Sequence, residues 1–455
     1  MLTLSFSNVR PYFRAALLVG VLLGAGSCKD LLNPQPVQQL ADERAITDAA
    51  SARAATLGAY DRVQNYYQLD WPTLGFLPAD NVRFNGTLNQ YLQLDQNALS
   101  ADNLLITETW TFIYQAVNAA NNVIAGVPGI SDPLLSAAEK NQLLGEGYFI
   151  RALAYFDLAR GWGGVPLVLT PTRSKENGQG TRRATLAATY DQVLADLTQA
   201  ESLLPDAPAR NRAVKATARA LRARLHLYRQ QWPDAEAYAT QVLSNSAYTL
   251  VTPYRAFSTA PFLTSESVLE ISYSNADPNT MWNNWFPSAL GGQYNFQPVT
   301  AAIALLNDPT VGGGRSALLA STTINGAPAI YGNLYSRSAQ RDDPSYVLRV
   351  AELYLIRAEA RARQGKLTQA LADLNAVRTR AGVPASTAAT ADALLLAIEN
   401  ERRVEFAFEA DRWFDLVRTG RAATVLGVTD QKKWVFPIPY NDLVADPDLE
   451  QNPGY

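Results

Sequence analysis

"EGYFIRALAYFDLARGWGGVPLV", residues 146–168, is the stretch from which the rest of the chain can be read. Tyr148, Ala152, Tyr155 and Phe156 recur at spacings of three and four, so they share one face of a helix. The pattern stops at Gly161. Gly163 and Gly164 predict a turn there, and Pro166 starts an extended exit. A long amphipathic helix closed by a glycine turn needs other helices to cover its apolar face.

The same periodicity supplies them. Apolar residues recur at helical spacing in 41–66, 104–124, 134–160, 186–204, 213–229, 234–243, 346–363, 367–380 and 391–408. Between 250 and 343 it fails, and Gly, Pro, Asn, Ser and Thr gather around a short β-like run, "SVLEISYS" (267–274). Two helical pairs are also alike. "ARLHLYRQQWPDAEAYATQVL" from Ala223 aligns without a gap on "AEARARQGKLTQALADLNAVR" from Ala358, setting Ala235 on Ala370, Ala239 on Leu374 and Val242 on Val377. Small residues at such positions let antiparallel helices approach closely, as in tetratricopeptide-like hairpins. The expected fold is mainly α: a tetratricopeptide-like helix-hairpin scaffold carrying a loop-rich insertion with short strands at about 250–343.

Composition narrows the function. With 39 Lys and Arg against 42 Asp and Glu, the net charge of −3 lacks the basic excess of a nucleic-acid footprint. Cys28 and His226 are each the only residue of their kind, which leaves metal cages, Cys–His pairs and Ser–His–Asp triads poorly supplied. His226 lies in the helical "ALRARLHLYRQQW" and reads as a packed structural residue. Neither a GxSxG elbow nor a GxxxxGK[ST] loop occurs. In "ENERRVEFAFEADRWFDLVR", Glu399 and Arg403 are four apart, while Glu409–Arg412 and Asp415–Arg418 are three apart. That spacing predicts ion pairs along helix faces rather than two carboxylates flanking a scissile bond. No catalytic residue, cofactor or metal is expected.

Cys28 has a different reading. Arg10 and Arg14 precede an apolar run over 15–26 that is too short to span a bilayer but suits a secretory signal. Ala25, Gly26 and Ser27 lead into the cysteine, so the segment resembles a bacterial lipoprotein signal in which the Cys28 sulfur is acylated. An ordinary cleaved signal with an incidental cysteine is the plainer alternative. The expected organisation is a signal peptide at 1–27, an extended tether at 28–40 with Pro34 and Pro36, and a single domain over 41–455. Lys29–Asp30 resembles the charged signal that sends lipoproteins of Bacteroidetes-type bacteria to the cell surface.

Several motifs resemble one family together. Besides 146–168 they are "IENERRVEFAFEADRWFDLVRTG" (398–420), "VFPIPYNDLVADPDLEQNPGY" (435–455), "WTFIYQAVNAANNVI" with Trp110, Tyr114 and Asn121, and the pair "RVAELYLIRAEARARQG" and "ALADLNAVRTRAG". The chain resembles the SusD/RagB family of outer-membrane nutrient-binding lipoproteins along nearly its whole mature length. The resemblance implies capture of an oligosaccharide or polysaccharide and delivery to a SusC-like TonB-dependent outer-membrane transporter, with this chain as a lid over its barrel. Peptide capture by a member of the same family is the alternative, and a lipid-anchored helical scaffold for envelope proteins is a rival of another class.

A ligand site is sought among aromatics outside the helices. Trp110, Trp162, Trp232, Trp413 and Trp434 fall in helical or family-motif segments, where core packing is the default. Trp71, Trp282 and Trp285 fall in loop-like sequence, in "YYQLDWPTLGFLPADNVRFNG" and "MWNNWFPSALGGQYNFQP". Flat rings beside amide, carboxylate and guanidinium groups suit a sugar, which presents C–H faces rimmed by hydroxyls. The expected ligand contacts are Trp71, Asp80, Asn81, Arg83, Trp282, Asn283, Trp285 and Tyr294. Simple anchoring of long loops to the scaffold is the alternative for each.

Overall fold

Side-chain caps mark where the helical periodicity becomes helix. Asp48, Asn103, Ser136, Thr185 and Thr390 each accept the backbone N–H three residues on, satisfying a donor that the first turn leaves free. The computed structural model describes residues 46–174 and 180–455. The expected signal peptide, Cys28 and the tether lie outside those residues.

The chain opens with α1 (Ala49–Tyr67), α2 (Asp70–Phe76), β1 (Val82–Phe84), α3 (Asn89–Asp95), α4 (Leu104–Gly126) and α5 (Ala137–Trp162). Next come α6 (Leu186–Leu203), α7 (Lys215–Tyr228) and α8 (Trp232–Leu243). The middle carries β2 (Ser267–Ile271), α9 (Met281–Trp285), β3 (Phe296–Pro298), α10 (Thr300–Asn307), β4 (Leu319–Ile324), β5 (Ala327–Gly332) and β6 (Ser345–Arg349). Helices α11 (Val350–Arg363), α12 (Leu367–Arg380), α13 (Ala391–Glu405), α14 (Arg412–Arg418), α15 (Ala422–Leu426) and α16 (Tyr440–Ala445) follow. The result is a mainly α scaffold with a loop-rich region of short strands.

Helices adjacent in sequence pack together: α4 on α5, α5 on α6, α7 on α8, and α11 on α12. The two pairs that resemble each other in sequence are also neighbours, because α8 packs on α11. Ala235, Ala239, Val242, Ala370, Leu374 and Val377 are all buried at these contacts. Among the described residues no helix is long and apolar enough to cross a membrane.

The glycine turn after α5 serves a further purpose. Gly163, at φ 78°, ends the helix, and a Cβ on Gly164 would fall 2.0 Å from the Ala184 carbonyl oxygen. The close-packed turn receives the chain's end: Asn452 Nδ2 donates to the carbonyls of Trp162 (3.0 Å) and Phe436 (2.7 Å), and Trp162 Nε1 donates to Pro437 (2.9 Å).

Two sequence expectations need correction. Residues 346–349, expected to begin a helix, belong to β6, which pairs antiparallel with β2 and is buried along its length. Local periodicity cannot register a partner strand so far away in sequence. Of the three expected helix-face pairs, only Asp415–Arg418 forms, at 2.5 Å. Helix α13 ends at Glu405, so Glu409 and Arg412 share no helix; Glu409 meets Arg349 at 2.6 Å and Arg412 meets Asp80 at 2.8 Å. Arg403 also turns to Asp80, at 3.2 Å, while Glu399 pairs with Arg421 at 2.9 Å.

Of these arginines Arg349 also reaches Glu405, which is wholly buried. Its carboxylate meets Arg315 at 2.9 Å, Arg349 at 3.0 Å, and Arg380. Burial acts to raise its pKa, but the three guanidinium charges outweigh that and hold it below the usual carboxylate range. Glu405→Gln removes the shared counter-charge while keeping the shape, and breaking a buried pair this way costs about 3–5 kcal/mol. Urea unfolding at pH 7 is expected to show that loss. Because the folded-state pKa is depressed, this stabilisation is full above the unfolded pKa. The gap to wild type should therefore narrow as pH falls below about 4. An unfolding midpoint equal to wild type at pH 7 contradicts the assignment.

Candidate functional site

Two antiparallel elements build a groove on the loop-rich side. In the β1–β3 ribbon Arg83 stands directly opposite Gln297. The β4–β5 hairpin turns at Asn325–Gly326, both at positive φ, a sequence signal for a tight hairpin that the reading above passed over. Strand β5 lies beside β3. Between them opens a groove of about 360 Å³, with Arg83, Tyr294 and Gln297 on one wall, Pro328 and Ile330 on the other, and Thr300 from the start of α10.

The polar groups in it are fixed. Arg83 donates from Nε (3.2 Å) and Nη2 (2.7 Å) to Gln297 Oε1, which sets the plane of its guanidinium. Tyr294 sits in the left-handed region at φ 55°, and its hydroxyl donates to the Ile330 carbonyl at 2.8 Å, bracing its ring against β5. Burial raises the Tyr294 pKa and the nearby Arg83 charge opposes it; the phenol remains a protonated donor at neutral pH. A half-exposed ring beside hydrogen-bonding edges is an arrangement that can stack a sugar face and hold its hydroxyls.

Of the eight residues expected to touch ligand, the structure brings Arg83 and Tyr294 together here. Trp71 and Trp285 are corrections. Trp71 belongs to α2 rather than a loop and is 0% exposed, stacked on Phe414 with centroids 4.7 Å apart and covered by Arg160. Trp285 ends α9 at 1% exposure, packed on Phe408 and in contact with Phe76 and Phe296. Trp285 fastens the loop-rich region to the scaffold and Trp71 packs among scaffold helices, because burying a large aromatic surface outweighs the local polarity of their neighbours.

Asp80 and Asn81 are committed elsewhere. Burial raises the Asp80 pKa, yet the hydrogen bonds and charges of Arg412 and Arg403 outweigh that and keep it ionised. Asn81 is buried, donating to the Arg403 carbonyl at 2.9 Å and accepting from Arg403 Nε at 3.0 Å. Trp282 and Asn283 are half-buried on α9 and do not line the groove; Trp282 packs edge-on against Phe286 at 5.8 Å. Sequence reading missed Gln297, Thr300 and Ile330. Gln297 stood in a quoted stretch, but nothing local marks it as the partner of Arg83.

A second cleft, of about 320 Å³, opens between α11, α13 and α14. Two of its guanidiniums meet carboxylates of the chain itself, Arg418 with Glu359 at 2.7 Å and Arg421 with Glu399 at 2.9 Å. Among the described residues no carboxylate lines the Arg83 groove.

Comparisons with known proteins agree with this architecture. A model described as the SusD family matches residues 328–428, and one described as starch-binding, associating with outer membrane, matches 32–227. SusD-like protein P38 of Formosa agariphila is 24% identical, over 99% of each chain. A SusD-like protein of Bacteroides ovatus is 24% identical, over 90% of this chain and 83% of its own. A SusD superfamily protein of Bacteroides vulgatus superposes with a TM-score of 0.78 at 25% identity, covering 90% of this chain and 99% of that one. A laminarin-binding SusD-like protein shares the fold with a TM-score of 0.79 at 23% identity, over 90% of this chain and all of its own.

The two tryptophans of α9 separate core from surface. Trp285→Ala is expected to lower stability by about 3–5 kcal/mol, the usual cost of emptying a large aromatic site. Trp282→Ala should move the thermal midpoint far less. Equal losses would show that Trp282 belongs to the core as well.

Proposed function

This chain belongs to the SusD/RagB family of outer-membrane nutrient-binding proteins, and on that premise we propose that it captures an oligosaccharide or polysaccharide fragment in the Arg83–Tyr294 groove. It hands the ligand to a SusC-like TonB-dependent transporter, over whose barrel it acts as a lid, with no bond made or broken. The observation that carries the reading is the groove itself: a braced aromatic ring beside a guanidinium and an amide, on an open face. Sugars need flat apolar contact and polar edges together. That a neighbour in fold is named as laminarin-binding supports the ligand class.

Cys28 is the lipid attachment point, with 28–40 as the tether and Lys29–Asp30 favouring the extracellular side. The α7–α8 and α11–α12 pairs act as tetratricopeptide-like hairpins, a reading supported by the buried Ala235, Ala239 and Ala370 where they pack.

Two experiments test this. Tyr294→Ala is expected to weaken saccharide binding by about tenfold in calorimetry, since a stacked ring contributes on the order of 1 kcal/mol beyond its buried area. Its helical circular dichroism should be unchanged. Undiminished affinity moves the site elsewhere, and binding of peptides but no saccharide favours the peptide-capturing alternative. Cys28→Ser should abolish fatty-acid labelling and membrane partition; labelling equal to wild type removes the anchor from the account.

A further inference from the structure

Among the described residues Arg83 is the only charged one lining the groove. Burial raises the pKa of nearby Asp95 against the opposing Arg83 charge, but Asp95 accepts the Phe84 N–H and does not line the groove. Among the described residues no carboxylate lines the groove beside the guanidinium.

The hydrogen-bonding pattern has the same sign. Arg83 spends Nε and one N–H of Nη2 on Gln297, which leaves the Nη1–Nη2 edge with its two parallel N–H groups. Since Arg83 can only donate, the Gln297 atom facing it must be the carbonyl oxygen. The amide NH2 is then the end Gln297 has left to offer. Gln297 is only 9% exposed, and that NH2 has no partner among the described residues. Thr300 and Ile303, from the first turn of α10, complete this side. The helix begins after Val299, which supplies no side-chain cap, so its positive end lies at the groove. A guanidinium edge, an amide NH2 and an uncapped helix start supply donors here, and beside the committed Gln297 oxygen only the hydroxyls of Thr300 and Tyr294 among the lining side chains can accept.

Resting on the saccharide reading of this groove, the geometry points to an oxyanion-bearing saccharide as its ligand: a sugar whose carboxylate or sulfate is taken bidentately by the Nη1–Nη2 edge of Arg83 while its ring lies on Tyr294. A neutral glycan would supply hydroxyl acceptors but leave the guanidinium charge unmatched. Carboxylate and sulfate both present two coplanar oxygens to such a fork.

The test is calorimetry on the purified chain with three probes of similar length: an oligogalacturonate, a sulfated galactan oligosaccharide and a neutral β-glucan oligosaccharide. At least one charged probe is expected to bind about tenfold tighter than the neutral one, and raising the salt should shrink that margin because the site is open to solvent. Which charged probe gains identifies carboxylate or sulfate. Arg83→Gln should remove the margin, weakening charged binding more than neutral binding, and leave the melting temperature unchanged. Arg83→Lys, which keeps the charge but loses the fork, should restore only part of it. Neutral binding as tight as charged binding, or an equal loss for all three probes in Arg83→Gln, overturns the anionic assignment while the saccharide reading stands. Failure of every probe to bind the folded chain overturns both.

Discussion

The loop-rich region is tied to the helices through one buried carboxylate that meets three guanidiniums. Glu405 closes α13, and the arginines that reach it come from the segment before β4, from β6 and from α12. Arg349 and Arg380 also share Glu266 at the start of β2, and Arg315 also takes Glu401. Charges this deep are costly to desolvate, and only complete pairing offsets the cost. Each segment is therefore bound to the others by necessity, because displacing any one strands a charge in the core. Apolar packing alone would tolerate sliding by a residue or a turn; a hydrogen-bonded ion network does not.

That constraint explains how a region poor in regular structure holds a defined surface. The network fixes β2, β6 and the approach to β4 against α12 and α13. An aromatic cluster then fastens the rest: Trp285 lies between Phe408 of the scaffold and Phe296 of β3, while Phe76 of α2 touches both Trp285 and Phe296. Gly332 at the end of β5 approaches so closely that a Cβ there would lie 2.4 Å from the Trp285 ring. With β3 and β5 anchored from beneath, Arg83 and Tyr294 stand on a rigid floor. Their own contacts, Gln297 and the Ile330 carbonyl, need only set the last torsions.

The scaffold was legible because its determinants are local. Periodicity located nine long helices among the described residues to within a few positions, and the likeness of the α7–α8 and α11–α12 pairs anticipated hairpins that turn out to be neighbours. The site was legible only in part, because its determinants are pairings across the chain. Arg83 and Gln297 meet through a strand register that neither short strand announces. Trp71 and Trp285 sat among Asp, Asn and Gly and looked exposed, yet burial was decided by Phe414 and Phe408 far along the sequence. Glu399–Arg403 illustrates the same limit. The spacing was right for a helix-face pair, but Asp80 and Arg421 offered these two groups other partners.

On the proposal that the groove takes a saccharide, its shape also bears on what delivery requires. It is open along one side, offers one ring and one guanidinium, and has an apolar far wall. A ring contributes on the order of 1 kcal/mol beyond its area, and a solvent-open ion pair about as much, so a single sugar unit is held loosely. Tight enclosure would raise affinity by burying more of the ligand, but it would slow release by the same amount, since affinity differences at related sites fall mainly on the off-rate. A rigid, shallow, donor-rich groove resolves that conflict differently. Its groups lose little freedom on binding because Gln297 and Ile330 already hold them, so even a weak contact is specific in orientation. Longer ligands gain by presenting successive units to the same groove, and a chain that rebinds unit by unit can be advanced without ever being held fast.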